Sequence, residues 1–400
     1  MNHRSRTITG ITLAALAVGA AACGSDDSTS QDPAATPAPS ADTSTAEAGP
    51  ASDDVSLVGI CPDTIVVQTD WLPQSEHGEF YRLTGEGAVQ DDNAKSYTSP
   101  LYAPTGEDTG VKIEIRAGGP AIGFQQAVAQ MYADPDILMA IVTMDQAIQN
   151  SENFPSVGIV APRRLSPQII MWDPATYPDA KTIADIGQTD ARVLYFGGSA
   201  YMDYLTGQGI LNADNADGSY DGSPATFVAS NGAVAQQGYA TAEPFQYENE
   251  FTEWMKPVAY QLIADTGYNP LAPTSVRPES IEEYGDCFTK LVPMFQQAYI
   301  DYLADPAEIN ALVSKLTDDF QGAAPYSVAT ADFAVETQLE SGIVGNNPGG
   351  FGSFDLAGIQ ELIDISTPIF EAQGTPPVAG LTPESIVTNQ FIDPTILLPE

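Results

Sequence analysis

Asp70, Trp71 and His77 are the residues of this sequence best suited to recognising a small molecule. They follow the β-branched run Thr64 to Thr69, where a strand gives way to a loop. An indole there can stack on a flat ligand, and Asp70 can accept hydrogen bonds from ring nitrogens or amines. The same Trp71 would equally fill the core beneath the loop. His77 offers a polar contact to ligand or a solvent-facing helix start. Gly118-Gly119 permits close approach of a ligand to backbone, or simply a tight turn. Gly197-Gly198-Ser199 precedes a helix and could receive a carboxylate, sulfonate or phosphate on its N–H groups, with Ser199 as the helix cap.

These groups need elements to hold them. Val111 to Arg116 alternates cleanly and predicts a second strand, stopped by Gly118-Gly119-Pro120. A helix is expected over 121–133 and a buried strand over 137–142, leading to Thr143-Met144-Asp145. Further strands are expected at 157–161, 168–172 and 192–196, with helices at 181–186 and 200–209. Residues 85–110 are polar and read as a surface insertion, and 211–223 as a loop. The spacing predicts a strand over 225–229, a helix over 233–237 and a strand over 238–241. Helices follow at 250–266, 278–304, 305–320, 329–341 and 355–371, then an apolar stretch near 386–392. Repeated strand–loop–helix units predict an α/β protein with parallel sheets, in which ligands bind beyond the strand C-termini.

Catalytic equipment is scarce. His77 is the one histidine beyond the N-terminal segment, and no paired cysteines supply a usual zinc site. No nucleophile elbow, phosphate-binding P-loop or H-E-x-x-H appears. The acidic run Asn212 to Gly218 has the wrong spacing for alternate calcium ligands and reads as a solvated turn. No enzyme, metal or cofactor is therefore expected. Fourteen basic residues stand against 53 acidic ones, a formal charge of −39. Nucleic-acid binding is excluded on that balance, because neutralising phosphates needs clustered Lys and Arg.

The first residues predict export. Arg4 and Arg6, the apolar run Ile8 to Ala22 and the small residues before Cys23 form a secretory signal over 1–22. Ala20-Ala21-Ala22-Cys23 resembles a lipobox, so Cys23 is expected to be acylated, and 23–54 to be a flexible Ser/Thr/Ala/Pro linker. The expected location is the outer face of the cytoplasmic membrane, with the membrane touched through the lipid only. The remaining chain is too long for one compact core and suits two lobes. Cys61 and Cys287 invite a disulfide outside the cytoplasm, worth at most roughly 4–5 kcal/mol for so long a loop. Two buried free thiols are the alternative.

Four segments carry a resemblance, in order. Asp70-Trp71-Leu72-Pro73-Gln74-Ser75-Glu76-His77 with Phe80-Tyr81, then Val111 to Pro120, Gly238 to Phe245 with Glu243-Pro244, and Thr388-Asn389-Gln390-Phe391 resemble the thiamine-pyrimidine-precursor binding proteins. Those belong with the nitrate, sulfonate and taurine solute-binding proteins of ABC importers. Gln74, Glu79 and Ala242 depart from the usual pattern. The resemblance implies a two-lobed periplasmic-binding-protein fold of the second type. Lobe I would be 62–155 plus 270–400 and lobe II 156–269, with Cys61 and Cys287 sharing one lobe. It implies a small ligand, a flat nitrogen heterocycle or pyrimidine precursor, contacted by Asp70, Trp71, His77, Gly118, Gly119, Asp145, Ser199, Tyr201 and Glu243. It also implies a permease and its cytoplasmic ATPase as partners, and a monomer. Two rivals follow from the same family: a binder of nitrate, sulfonate or taurine-like anions, using Arg116 or Arg163, and an enzyme of thiamine-pyrimidine synthase type. A binding module feeding a sensor is a third reading.

Overall fold

The computed structural model describes residues 55–321 and 325–399, all within one compact unit. The expected signal, the Cys23 anchor and the 23–54 linker lie outside them. Twelve strands build two mixed sheets. The first contains β1 (Thr64–Gln68), β2 (Val89–Asp91), β3 (Ser96–Tyr102), β4 (Asp108–Arg116), β5 (Ile137–Ile141), β6 (Val157–Val160) and, from far along the chain, β12 (Thr274–Val276). The second contains β7 (Gln168–Trp172), β8 (Arg192–Leu194), β9 (Ala216–Asp217), β10 (Val234–Tyr239) and β11 (Ala259–Leu262).

β1 lies between β4 and β5, parallel to both. β12 closes against β5 and β6 in the antiparallel sense. In the second sheet β10 runs parallel to β8 and antiparallel to β7. Parallel strands are buried on both faces and therefore read as continuous apolar runs. β5, with Ile-Leu-Met-Ala-Ile buried throughout, is the plainest case.

Three expectations are corrected. Residues 85–110 are no insertion lying on the surface: β2 and β3 form a hairpin that extends the first sheet against β4, with Ser96, Ser99, Leu101 and Thr109 buried. The region 225–237 is reversed, since Ala225–Ala229 is helical and 234–237 belong to central strand β10, which runs on to Tyr239. Residues 250–266 form no long helix; β11 and a 3-10 turn, Ile263–Thr266, occupy their second half.

The chain leaves the first sheet after Val160 and returns before Thr274, and the two crossovers run side by side. Asn269 ties them: its side chain accepts from the Ser166 N–H at 2.8 Å and donates to the Arg164 carbonyl at 3.1 Å. Helix Leu356–Gln373 packs against helix Met144–Gln149 beside the first sheet and helix Ala200–Gly207 beside the second. The long helix Gly285–Ala304 buries Phe288, Leu291, Phe295 and Tyr299 in the core of the first sheet. Cys61, just before β1, is disulfide-bonded to Cys287 at the start of that helix. The closing Asn389 is structural: it accepts from the Phe354 N–H and donates to the Phe354 carbonyl, at 2.8 and 3.0 Å. No helix among the described residues is long and apolar enough to cross a membrane.

Candidate functional site

The loops after the C-termini of β1, β4 and β8 bring together residues from both sheets. Trp71 follows β1, Phe124 follows β4, and Phe196 and Tyr220 stand beyond β8 and β9. Their rings form a chain. Trp71 and Phe124 lie 5.9 Å apart, Phe124 and Phe196 6.1 Å, and Phe196 and Tyr220 4.9 Å, all tilted. The middle contact passes from the first sheet to the second. Phe124 is 57% exposed and sits in the left-handed backbone region at φ 60°. That conformation is costly for an aromatic residue, and such residues gather at ligand clamps.

An ionic cluster of the first sheet begins at Asp70, next to Trp71 in the chain. Asp70 and His77 share a hydrogen bond, Oδ1 to Nε2, of 2.8 Å. His77 is 0% exposed, and its Nδ1 has no partner. Arg163, on the first crossover, is buried and donates to the carbonyls of Glu76 and Ala272. Burial works against the Arg163 charge, but Tyr299, Glu79, Glu76 and Asp70 more than offset it and hold its pKa up. Burial likewise opposes the Asp70 charge, yet His77 and Arg163 keep that carboxyl below its usual range. Glu79, 1% exposed, is pushed up to about 7 by burial despite Arg163, and its Oε2 is unpartnered.

The second sheet answers from the end of β10. The Thr241 hydroxyl donates to Glu76 Oε1, a direct link between the two sheets. Glu243 opens helix Glu243–Asn249 and accepts from the Tyr239 N–H at 2.8 Å. Burial pushes the half-buried Glu243 up to about 7 as well. The Tyr239 hydroxyl is raised by burial and then by Asp70, Glu243, Glu76 and Asp145, so carboxylates of both sheets bear on one phenol.

The other sequence candidates have internal employment. Gly118 and Gly119 are buried and make room for the Trp71 loop. A Cβ on Gly118 would stand 2.1 Å from the Thr69 carbonyl oxygen, and one on Gly119 2.6 Å from the indole. Asp145 accepts from Thr143 Oγ1 at 2.5 Å and from the Tyr268 hydroxyl at 3.1 Å. The Ser199 hydroxyl donates to the Phe196 carbonyl at 2.6 Å and makes no cap bond. Tyr201 is buried and donates to Gln237 Oε1 at 2.7 Å.

Phe124, Phe196, Tyr220, Glu76 and Glu79 were not among the sequence candidates. The rule that ligands meet loops beyond strand C-termini points at Phe124 and Phe196, each beside glycine in such a loop. Arg116 is paired with Glu114 and Asp134, both at 2.7 Å. Its side chain lines a concavity of about 360 Å³ with Thr64, Val66 and Leu138, and none of the cluster's residues lines it. No group of three or more His, Cys, Asp or Glu among the described residues is placed to hold a metal ion.

No family model matches the sequence, and no curated protein does. Solved structures do match. A protein of Bordetella bronchiseptica superposes with a TM-score of 0.50 at 14% identity, covering 82% of this chain and 95% of its own. The periplasmic aliphatic sulphonate binding protein SsuA of Escherichia coli gives a TM-score of 0.50 at 14% identity, over 79% of this chain and 89% of its own. The fold is accordingly that of the periplasmic binding proteins.

Proposed function

We propose that this protein is the solute-binding component of an ABC importer and captures a small ligand between the facing edges of its two sheets. The observation that carries the reading is the ring chain Trp71–Phe124–Phe196–Tyr220, which spans both sheets at the place where this fold binds ligand. The two sheets with their helices act as lobes, hinged at the crossovers that Asn269 ties together. Capture closes the lobes, and the closed form docks on a membrane permease driven by a cytoplasmic ATPase. Acylation at Cys23 holds the monomeric chain to the outer face of the cytoplasmic membrane. No reaction is needed for this role, and the site supports binding rather than turnover.

The ligand is a flat, nitrogen-containing molecule of the thiamine pyrimidine-precursor kind, stacked on Trp71 with Asp70 receiving its N–H groups. The Escherichia coli neighbour is named for an aliphatic sulphonate, but Arg163, the cation of this cluster, already serves main-chain carbonyls. Calorimetry with pyrimidines, alkanesulfonates and nitrate tests the choice. Trp71→Ala should weaken binding of a pyrimidine ligand by roughly 10- to 100-fold. Unchanged affinity, or tight binding of an alkanesulfonate alone, would sink the stacking reading.

A further inference from the structure

Resting on the reading that the cleft captures a solute, we infer that its ligand is an organic cation, a planar or compact apolar body bearing an ammonium or amidinium group. The first ground is the charge that the two edges present to each other. Asp70 and Glu76 come from the first sheet, Glu243 from the second, and Thr241 bonded to Glu76 draws the two sets together. The fixed cation within the cluster, Arg163, is buried and committed to the Glu76 and Ala272 carbonyls. An anion entering this space would face carboxylates with no free positive group to receive it. A cation would find carboxylates whose repulsion it relieves.

The second ground is independent of charge. Trp71, Phe124, Phe196 and Tyr220 line the same junction, and a cation is drawn to the faces of such rings. Aromatic side chains set against carboxylates are the arrangement that recognises alkylated or delocalised cations. A third observation agrees. Glu79 Oε2 and His77 Nδ1 are both buried and lack partners within the protein. Buried polar atoms are rarely left unpaired without a role. Burial, rather than want of a charge partner, holds the Glu79 carboxyl up at about 7, so the unpartnered oxygen and not its titration is the relevant sign.

The test uses three planar probes of similar size that differ in charge: benzamidinium, benzamide and benzoate. Titration calorimetry of the mature chain should show benzamidinium binding at least about ten-fold tighter than benzamide, with no measurable heat from benzoate. Asp70→Asn and Glu243→Gln, one from each sheet, should each weaken benzamidinium about ten-fold and weaken benzamide by a clearly smaller factor. Should Asp70→Asn fail to fold by circular dichroism, the exposed-side Glu243→Gln carries the comparison alone. Benzoate or benzamide binding as tightly as benzamidinium would overturn the charge inference and leave solute capture standing. If none of the three binds, the charge inference falls. Capture is then judged separately, by whether a pool of small metabolites compacts the chain in small-angle scattering. Benzamidinium binding that depends on Asp70 but not on Glu243, with no compaction, would keep the charge preference and remove the two-sided capture.

Discussion

The two edges that face each other across the cleft are built differently. On the first, Glu76, His77 and Glu79 are buried, His77 is bonded to Asp70 and Arg163 to the Glu76 carbonyl, and the disulfide ties the same sheet to its longest helix. On the second, Tyr239 is 42% exposed, Gly197 and Gly198 are open to solvent, and Glu243 is held by one backbone N–H. One edge is pre-organised and the other is lightly held. A binding protein gains affinity from a rigid receptor wall, because less is lost in ordering it. It gains closure from a second wall that costs little to move. Under the proposed function, recognition would fall chiefly to the first edge and gating to the second.

The sharpest way to break that contrast is to remove Arg163. Arg163→Met would leave two buried carbonyls and the carboxylates of Asp70 and Glu79 without their cation. Losing one partner of a buried charged cluster costs about 3–5 kcal/mol, to be read from urea unfolding. The matching change on the other edge, Glu243→Gln, should cost less than about 1 kcal/mol, since that carboxyl is half-exposed. Equal losses would mean that the two edges are equally built in.

Next in size is the disulfide. Cys287→Ser should lower stability by about 2–4 kcal/mol, with ligand affinity unchanged within about two-fold, because both cysteines lie in the core of the first sheet and away from the cleft. An affinity loss parallel to the stability loss would show that the first edge owes its rigidity to this link.

How far the sequence discloses these edges follows the same division. β1 and β5 are legible because β-branched and apolar runs between turn signals have few other uses. β10 is not. Its Val-Ala-Gln-Gln-Gly-Tyr reads as helix giving way to strand, yet Gln236 and Gln237 are buried in a strand, where Gln236 donates to the Tyr247 hydroxyl and Gln237 accepts from that of Tyr201. Partners 11 and 36 residues away in sequence are invisible to a local pattern. The β2–β3 hairpin was hidden for a related reason, its polar residues being paired against β4 rather than packed by their own periodicity. Asp70, Trp71 and His77 stand out by type and spacing, and the structure brings Asp70 and His77 into contact. Phe124 and Phe196 carry no local sign that their rings meet across the cleft, since that contact depends on how two sheets are apposed.

The smallest expected effect concerns protons. Burial raises Glu79 to about 7, whereas an unfolded chain titrates near the ordinary value of 4.5. Between those values the folded protein keeps a proton that the unfolded chain has released. Its stabilising contribution is complete below the unfolded value and is lost as pH rises through about 7. Glu243 pushes in the same direction, with less weight because water reaches it. The melting temperature should therefore be higher at pH 5.5 than at pH 8, by about 2–5 °C for a difference of roughly 1–2 kcal/mol. Relief of general repulsion in so acidic a chain would produce the same sign. Glu79→Gln separates the causes. It should raise stability at pH 8 and flatten most of the slope, while Glu243→Gln flattens little. A slope that survives Glu79→Gln would trace the pH response to the whole surface, and would leave the first edge no special claim to it.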